Sequence, residues 1–143
     1  MRFQLALNVR NLEESITYYS KLFNAQPHKV KTGYANFALT NPSLKLVLIE
    51  NTNASEQINH LGVEVNQDEN LSGIIDRLDK MEITDRKEQQ TTCCYATQDK
   101  AWSVAPDGID WEWYTITDDN PDNARPLENG TCCTSANNAV NCC

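Results

Sequence analysis

An internal repeat constrains this chain more than any other feature. His60-Leu-Gly-Val-Glu-Val aligns with Gln4-Leu-Ala-Leu-Asn-Val at an offset of 56 residues, and Leu71, Ile75 and Leu78 echo Leu12, Ile16 and Tyr19. A strand-bearing unit that occurs twice leaves an open edge and an uncovered face on each copy, and its own duplicate is the nearest partner for both. The repeat therefore predicts two similar modules, at about 1–52 and 57–117, whose sheets meet edge to edge. The chain's 143 residues are one domain's worth, enough to bury a core without disulfide or metal staples.

Each module reads as a strand, a helix and further strands. Phe3, Leu5, Leu7 and Val9 alternate with Gln4, Ala6 and Asn8, the period of a strand with one apolar face. Asn11 is a plausible N-cap for a helix carrying Leu12, Ile16, Tyr19, Leu22 and Phe23, which Asn24 and Pro27 bring to an end. That helix is expected to cover Leu5 and Leu7. Tyr34–Leu39 and Leu44–Ile49 read as strands about an Asn41-Pro42-Ser43 turn, with a short strand near Val30. In the second module a strand from His60 and a helix through Leu78 are followed by the polar run Arg86–Thr92, expected as a mobile loop. A strand at Ala101–Val104, a Pro106-Asp107-Gly108 turn and a last strand through Trp111–Tyr114 complete it.

No apolar run approaches the roughly 18 residues that cross a bilayer, and the N-terminus reads as a strand with no signal-type cleavage site, so a cytoplasmic protein is expected. A net charge of −8 repels phosphate backbones and anionic lipid, which excludes nucleic acid and membrane surfaces as partners. From Asp118 the composition turns to Asn, Asp, Pro, Thr and Ser without an aromatic residue, and residues 118–143 are expected to be a disordered acidic tail.

All six cysteines stand in adjacent pairs: Cys93-Cys94, Cys132-Cys133 and Cys142-Cys143. Neighbouring Cα atoms lie about 3.8 Å apart, too close for an ordinary disulfide, so the pairs do not describe a stapled secreted scaffold. Two adjacent thiolates are instead a two-toothed soft ligand for a thiophilic ion or metalloid, suited to a reducing compartment. The tail pairs Cys132, Cys133, Cys142 and Cys143 are then a metalloid relay or scavenger on a tether, or an unselected end.

Strand parity supplies a second cluster. With Leu61, Val63 and Val65 turned to the helix, His60 faces the other way, as Gln4 does in its own strand, and Glu112 alternates with Trp111 and Trp113. On one concave surface these three offer an imidazole nitrogen, a carboxylate and an amide oxygen to a single metal, like a facial triad. A lone strand histidine is ordinarily a core residue; the repeat symmetry is what raises these three together. Tyr95, Trp102, Trp111 and Trp113 read as core or cavity wall, Tyr34 and Asn36 as lining of the concave surface, and His28 as an exposed loop residue.

These features resemble the vicinal oxygen chelate superfamily over residues 1 to about 117. The resemblance is carried by the two strand starts and by Ala105-Pro-Asp-Gly-Ile-Asp-Trp-Glu112, close to that superfamily's Asp-Pro-x-Gly-x-x-x-Glu ending. It implies an α+β fold of two βαβββ modules forming a cup-shaped mixed sheet with a divalent metal at its base, and a homodimer is an expectation from that fold. Thr91-Thr-Cys-Cys-Tyr-Ala followed by Asp99-Lys-Ala-Trp is similar to the branch of carbon-arsenic lyases and cadmium-induced proteins. Glyoxalase-type members use a fourth ligand from the last strand of the first module, but here only Glu50 is acidic and it is out of step with Glu112. Three ligands, Gln4, His60 and Glu112, leave room on octahedral Fe(II) for dioxygen and substrate, which favours oxygen chemistry over isomerisation. Gln4 departs from the commoner histidine, and glutamine is found at this position in the lyase branch.

The resemblance implies a trivalent organoarsenical as substrate. Such a compound keeps one bond to carbon and has two exchangeable positions, which Cys93 and Cys94 would saturate, with Tyr95, Tyr34 and Trp102 beside it. Cleavage of methylarsonous acid, or of a trivalent aromatic arsenical, would release arsenite and an oxidised carbon fragment. The competing expectation is a non-catalytic protein that sequesters cadmium or arsenite through its thiols on the same fold.

Overall fold

The computed structural model describes residues 1–93 and 95–122. The first module runs β1 (Arg2–Val9), α1 (Leu12–Phe23), β2 (Lys29–Lys31), β3 (Tyr34–Leu39) and β4 (Leu44–Glu50). The second repeats the order as β5 (Ile58–Glu64), α2 (Leu71–Lys80), β6 (Arg86–Cys93), β7 (Ala96–Val104) and β8 (Asp110–Asp118). All eight strands form one sheet in the order β2-β3-β4-β1-β5-β8-β7-β6.

The modules join through β1 and β5, which run antiparallel with Gln4 opposite Gly62 and Ala6 opposite His60. These two pairings exchange under a local two-fold that carries Gln4 onto His60, so the sequence repeat is also the symmetry of the sheet. In each module the first strand pairs in parallel with the last, β1 with β4 and β5 with β8. Under this symmetry Val47, across from Ala6, corresponds to Glu112, across from Gly62.

Local chemistry explains the helices. The Asn11 side chain accepts from the Glu14 amide at the start of α1, and Asn24 ends it in the left-handed conformation that asparagine tolerates. The α1 stripe of Leu12, Ile16, Tyr19 and Phe23 packs with Leu5 and Leu7 on a core of Ala35, Phe37, Leu39, Leu46 and Leu48, as its spacing predicts. Asn70 caps α2 by accepting from the Gly73 amide.

The sheet curls until its flanks approach. The Tyr95 hydroxyl, in the β6–β7 turn, donates to the Thr32 carbonyl in the β2–β3 turn at 3.0 Å, and the Tyr95 and Tyr34 rings lie 5.6 Å apart. Lys29 donates to the Tyr95 carbonyl at 3.0 Å and to the Asp119 carboxylate at 2.8 Å, and His28 also meets Asp119.

Three expectations need correction. The polar run Arg86–Thr92 is strand: among the described residues β6 lies at the edge of the sheet and pairs with β7, a position that favours charged residues. The strand expected at Ala101–Val104 begins at Ala96. Asp118 belongs to β8 and Asp119 binds Lys29, so ordered chain continues past the expected start of the tail; residues 123–143 lie outside the described residues. Among the described residues no helix is long and apolar enough to cross a membrane.

Candidate metal centre

The curled face of the sheet brings Gln4 of β1, His60 of β5 and Glu112 of β8 together, all 5 % exposed or less. Gln4 Nε2 lies 2.9 Å from His60 Nε2 and donates to Glu112 Oε2 at 3.0 Å. His60 Nε2 and Glu112 Oε2 are 3.5 Å apart. Adjacent ligands of an octahedron with bonds of about 2.1 Å sit about 3.0 Å apart, so the three atoms have the spacing of one octahedral face.

The protonation pattern fits a cation. Asn59 donates through Nδ2 to Asn8 Oδ1 at 2.9 Å, which leaves Asn59 Oδ1 facing His60 Nδ1 at 2.7 Å. His60 therefore carries its proton on Nδ1, and Nε2 presents a lone pair. Glu112 divides its two oxygens: Oε1 accepts from Lys100 at 3.1 Å while Oε2 faces Gln4 and His60. Burial alone would raise Glu112, but the Lys100 ammonium, with the His60 contact adding to it, outweighs burial and lowers the carboxyl from 4.5 to about 2. Glu112 is thus a carboxylate with one oxygen available. In the orientation observed, the Gln4 NH2 group supplies its two protons to His60 and Glu112, where a cation would otherwise draw the acceptors together.

Around this point the polar groups are interlinked. Trp102 meets His60 edge to face at 5.3 Å, and its Nε1 donates to Glu88 Oε1 at 3.0 Å. Arg86 lies over the same indole, 4.4 Å from its centroid, and pairs with Glu88 at 3.2 Å. Tyr114 Oη lies 2.5 Å from Gln4 Oε1 and 3.1 Å from Glu64 Oε2. Glu64 receives both Arg2, at 3.0 Å, and Lys45, at 3.2 Å. These last residues line a cleft of about 310 Å³ that includes Arg2, Lys45, Glu64, Ile116 and Asp119 but none of the three clustered side chains.

Gly62 makes the convergence geometrically possible. It lies between Gln4 and Glu112 in the sheet, and a Cβ there would stand 3.1 Å from the Glu112 carbonyl and 3.4 Å from Gln4 Nε2. The fourth position carries Val47, whose side chain has no donor atom, and Glu50 is exposed and accepts from the Leu12 amide instead. Among the described residues no three His, Cys, Asp or Glu side chains gather at one point, so Gln4 is needed to complete a triad.

Trp102 stands beside the cluster, whereas Tyr34 and Tyr95 meet each other where the flanks of the sheet close, and Asn36 donates to the Tyr34 hydroxyl at 2.9 Å. The Cys93 backbone ends β6 opposite Ala96. Cys94, Cys132, Cys133, Cys142 and Cys143 lie outside the described residues. Sequence reasoning missed Lys100, Tyr114, Glu64, Asn59 and Gly62. Parity along β5 and β8 could have found Glu64 and Tyr114, and a glycine inside an apolar alternation was a signal of close backbone approach.

The fold agrees with the comparison to known proteins. Residues 3–113 match the profile of the Glyoxalase/Bleomycin resistance protein/Dioxygenase superfamily. The chain belongs to this superfamily. It is 49 % identical to the cadmium-induced protein CadI of Mycobacterium tuberculosis over 143 residues, spanning 99 % of this chain and 92 % of that one. It is 45 % identical to the trivalent organoarsenical cleaving enzyme of Thermomonospora curvata over 134 residues, spanning 93 % and 88 %. A crystal structure of a superfamily member from Vibrio splendidus superposes with a TM-score of 0.56 at 12 % identity, covering 80 % of this chain and 97 % of that one, a likeness of fold.

Proposed function

We propose that this superfamily member is an Fe(II)- and dioxygen-dependent carbon-arsenic lyase acting on trivalent organoarsenicals, methylarsonous acid or a trivalent aromatic arsenical, and releasing arsenite. The observation that carries the reading is the convergence of Gln4, His60 and Glu112 within 3.5 Å of one another, with His60 Nε2 unprotonated and Glu112 ionised. The names of relatives at 45 % and 40 % identity supply the substrate class.

In this reading the three side chains hold Fe(II), which when bound supplies the activation of dioxygen. The overall reaction needs no further reductant: one methylarsonous acid and one dioxygen balance in atoms against one arsenous acid and one formaldehyde. Cys93 and Cys94 take the two exchangeable positions on arsenic and hold the carbon-arsenic bond near the oxidant, a gain from proximity. Lys100 keeps Glu112 Oε1 engaged, so that Oε2 alone faces the metal position. Trp102, 1 % exposed against His60, excludes water from that side. The thiols call for a reducing compartment, consistent with a cytoplasmic protein.

The test is to load anaerobically purified protein with Fe(II) and methylarsonous acid, admit oxygen and measure arsenite by arsenic speciation, with Cys93→Ser and Glu112→Ala alongside. Arsenite formed only with iron, oxygen, thiol and carboxylate is the expected result. The arsenical bound without arsenite release, at confirmed iron occupancy, would overturn it. A second reading, thiol-based sequestration of cadmium or arsenite, is favoured by the 49 % identity to cadmium-induced relatives. Sequestration would survive Glu112→Ala, and turnover would not.

A further inference from the structure

We propose that Tyr114 and Glu64 are a positioning pair that sets which atom of the Gln4 carboxamide faces His60 and Glu112, turning its oxygen inward when a divalent cation occupies the triad. The inference rests on the reading that Gln4, His60 and Glu112 hold a metal.

The observation behind it is a mismatch in proton count. Tyr114 Oη has acceptors on both sides, Gln4 Oε1 at 2.5 Å and Glu64 Oε2 at 3.1 Å, and a phenol has one proton to donate. With the amide nitrogen inward, as observed, that proton goes to Gln4 and the Glu64 oxygen faces a phenol lone pair. Arg2 donates to both Glu64 oxygens, and Lys45 pairs with the same Oε2 that faces Tyr114.

Half a rotation of the amide reverses every role. Nε2 then donates to Tyr114 Oη, and Tyr114 donates to Glu64 Oε2, so each contact on that side has a donor and an acceptor. On the inner side Oε1 joins His60 Nε2 and Glu112 Oε2, three acceptors separated by 2.9 to 3.5 Å. Three converging lone pairs repel one another unless a cation lies among them. The amide is therefore a two-position element: nitrogen inward without metal, oxygen inward with it.

Tyr114 can serve both positions because a hydroxyl donates or accepts, and phenylalanine can do neither. Gln4 is 5 % and Tyr114 1 % exposed, which limits water as a substitute. Glu64 biases the pair toward the metal-bound arrangement. Burial would raise its carboxyl, but Lys45 and Arg2 together hold it below the ordinary range, so it stays a proton acceptor.

The experiment is an anaerobic titration of the metal-free full chain with Fe(II) against a competing chelator, repeated with Co(II) to read the ligand-field spectrum. His60→Ala defines binding elsewhere, including at the thiols, and is subtracted. Tyr114→Phe is expected to weaken triad binding about 10- to 100-fold. The decisive background is Gln4→Glu, because a carboxylate presents oxygen whichever way it turns. There Tyr114→Phe is expected to cost less than about threefold. Glu64→Ala leaves Tyr114 donating to Gln4 Oε1 and carries the same pair of expectations, so the test survives a Tyr114→Phe chain that does not fold. Unchanged affinity in Tyr114→Phe or Glu64→Ala, or equal losses in both backgrounds, would overturn the positioning role alone. A wild-type chain that binds neither ion above the His60→Ala baseline would overturn it together with the metal-site reading.

Discussion

Replacing Lys100 by methionine separates the charge balance of the centre from its shape. Lys100 is 2 % exposed, and its ammonium lies 3.1 Å from Glu112 Oε1 and 3.9 Å from Glu88 Oε2. Glu112 titrates near 2 in the folded chain against 4.5 as its ordinary value. Its folded pKa is the lower one, so its contribution to stability is complete above 4.5 and is lost as pH falls toward 2. At about 1.4 kcal/mol per unit, that interval is worth roughly 3 kcal/mol. Methionine fills similar space but leaves Glu112 buried without its principal counter-charge, a change that typically costs about 3–5 kcal/mol. The cost is expected in full at pH 7 and to shrink below pH 4.5, because protonating Glu112 removes the uncompensated charge. A divalent ion at the centre should also reduce it. The assay is urea unfolding of metal-free wild type and Lys100→Met at pH 7 and pH 4. A loss under about 1 kcal/mol at pH 7, or the same loss at both pH values, would refute the argument.

Gly62→Ala should destabilise the chain by about 1–3 kcal/mol and weaken metal binding, since its Cβ meets the Glu112 carbonyl and the Gln4 amide; unchanged Fe(II) affinity and melting temperature would contradict this. Ending the chain after Asp122 should leave turnover intact, because β8 and the Asp119 contacts with Lys29 and His28 are kept. Loss of arsenite production on that truncation would show that the tail takes part in the chemistry. If the thiols capture methylarsonous acid as proposed, hydrogen exchange over residues 86–97 should slow when it binds; no change would count against that capture.

Much of this architecture was legible in the chain because it rests on local, periodic signals. Alternation in Phe3–Val9, the Asn11 and Asn24 caps and the stripe from Leu12 to Phe23 each act within a few residues, and the structure follows them closely. The repeat did more, since two copies of one unit imply a symmetric joint, and parity then assigned Gln4, His60 and Glu112 to one face. The run Arg86–Thr92 misled because an edge strand has the composition of a loop; its pairing with β7 is a long-range fact.

The sequence by itself determined the duplicated modules, the faces of their strands and the three side chains that could meet. Only the tertiary structure decided how those side chains are charged and oriented. Lys100 on Glu112, Asn59 on His60 and Tyr114 between Gln4 and Glu64 are set by the curl of an eight-stranded sheet and by distances of about 3 Å between residues far apart in the chain. Periodicity specifies which way a side chain points, and electrostatics at hydrogen-bond range depends on which atom it reaches.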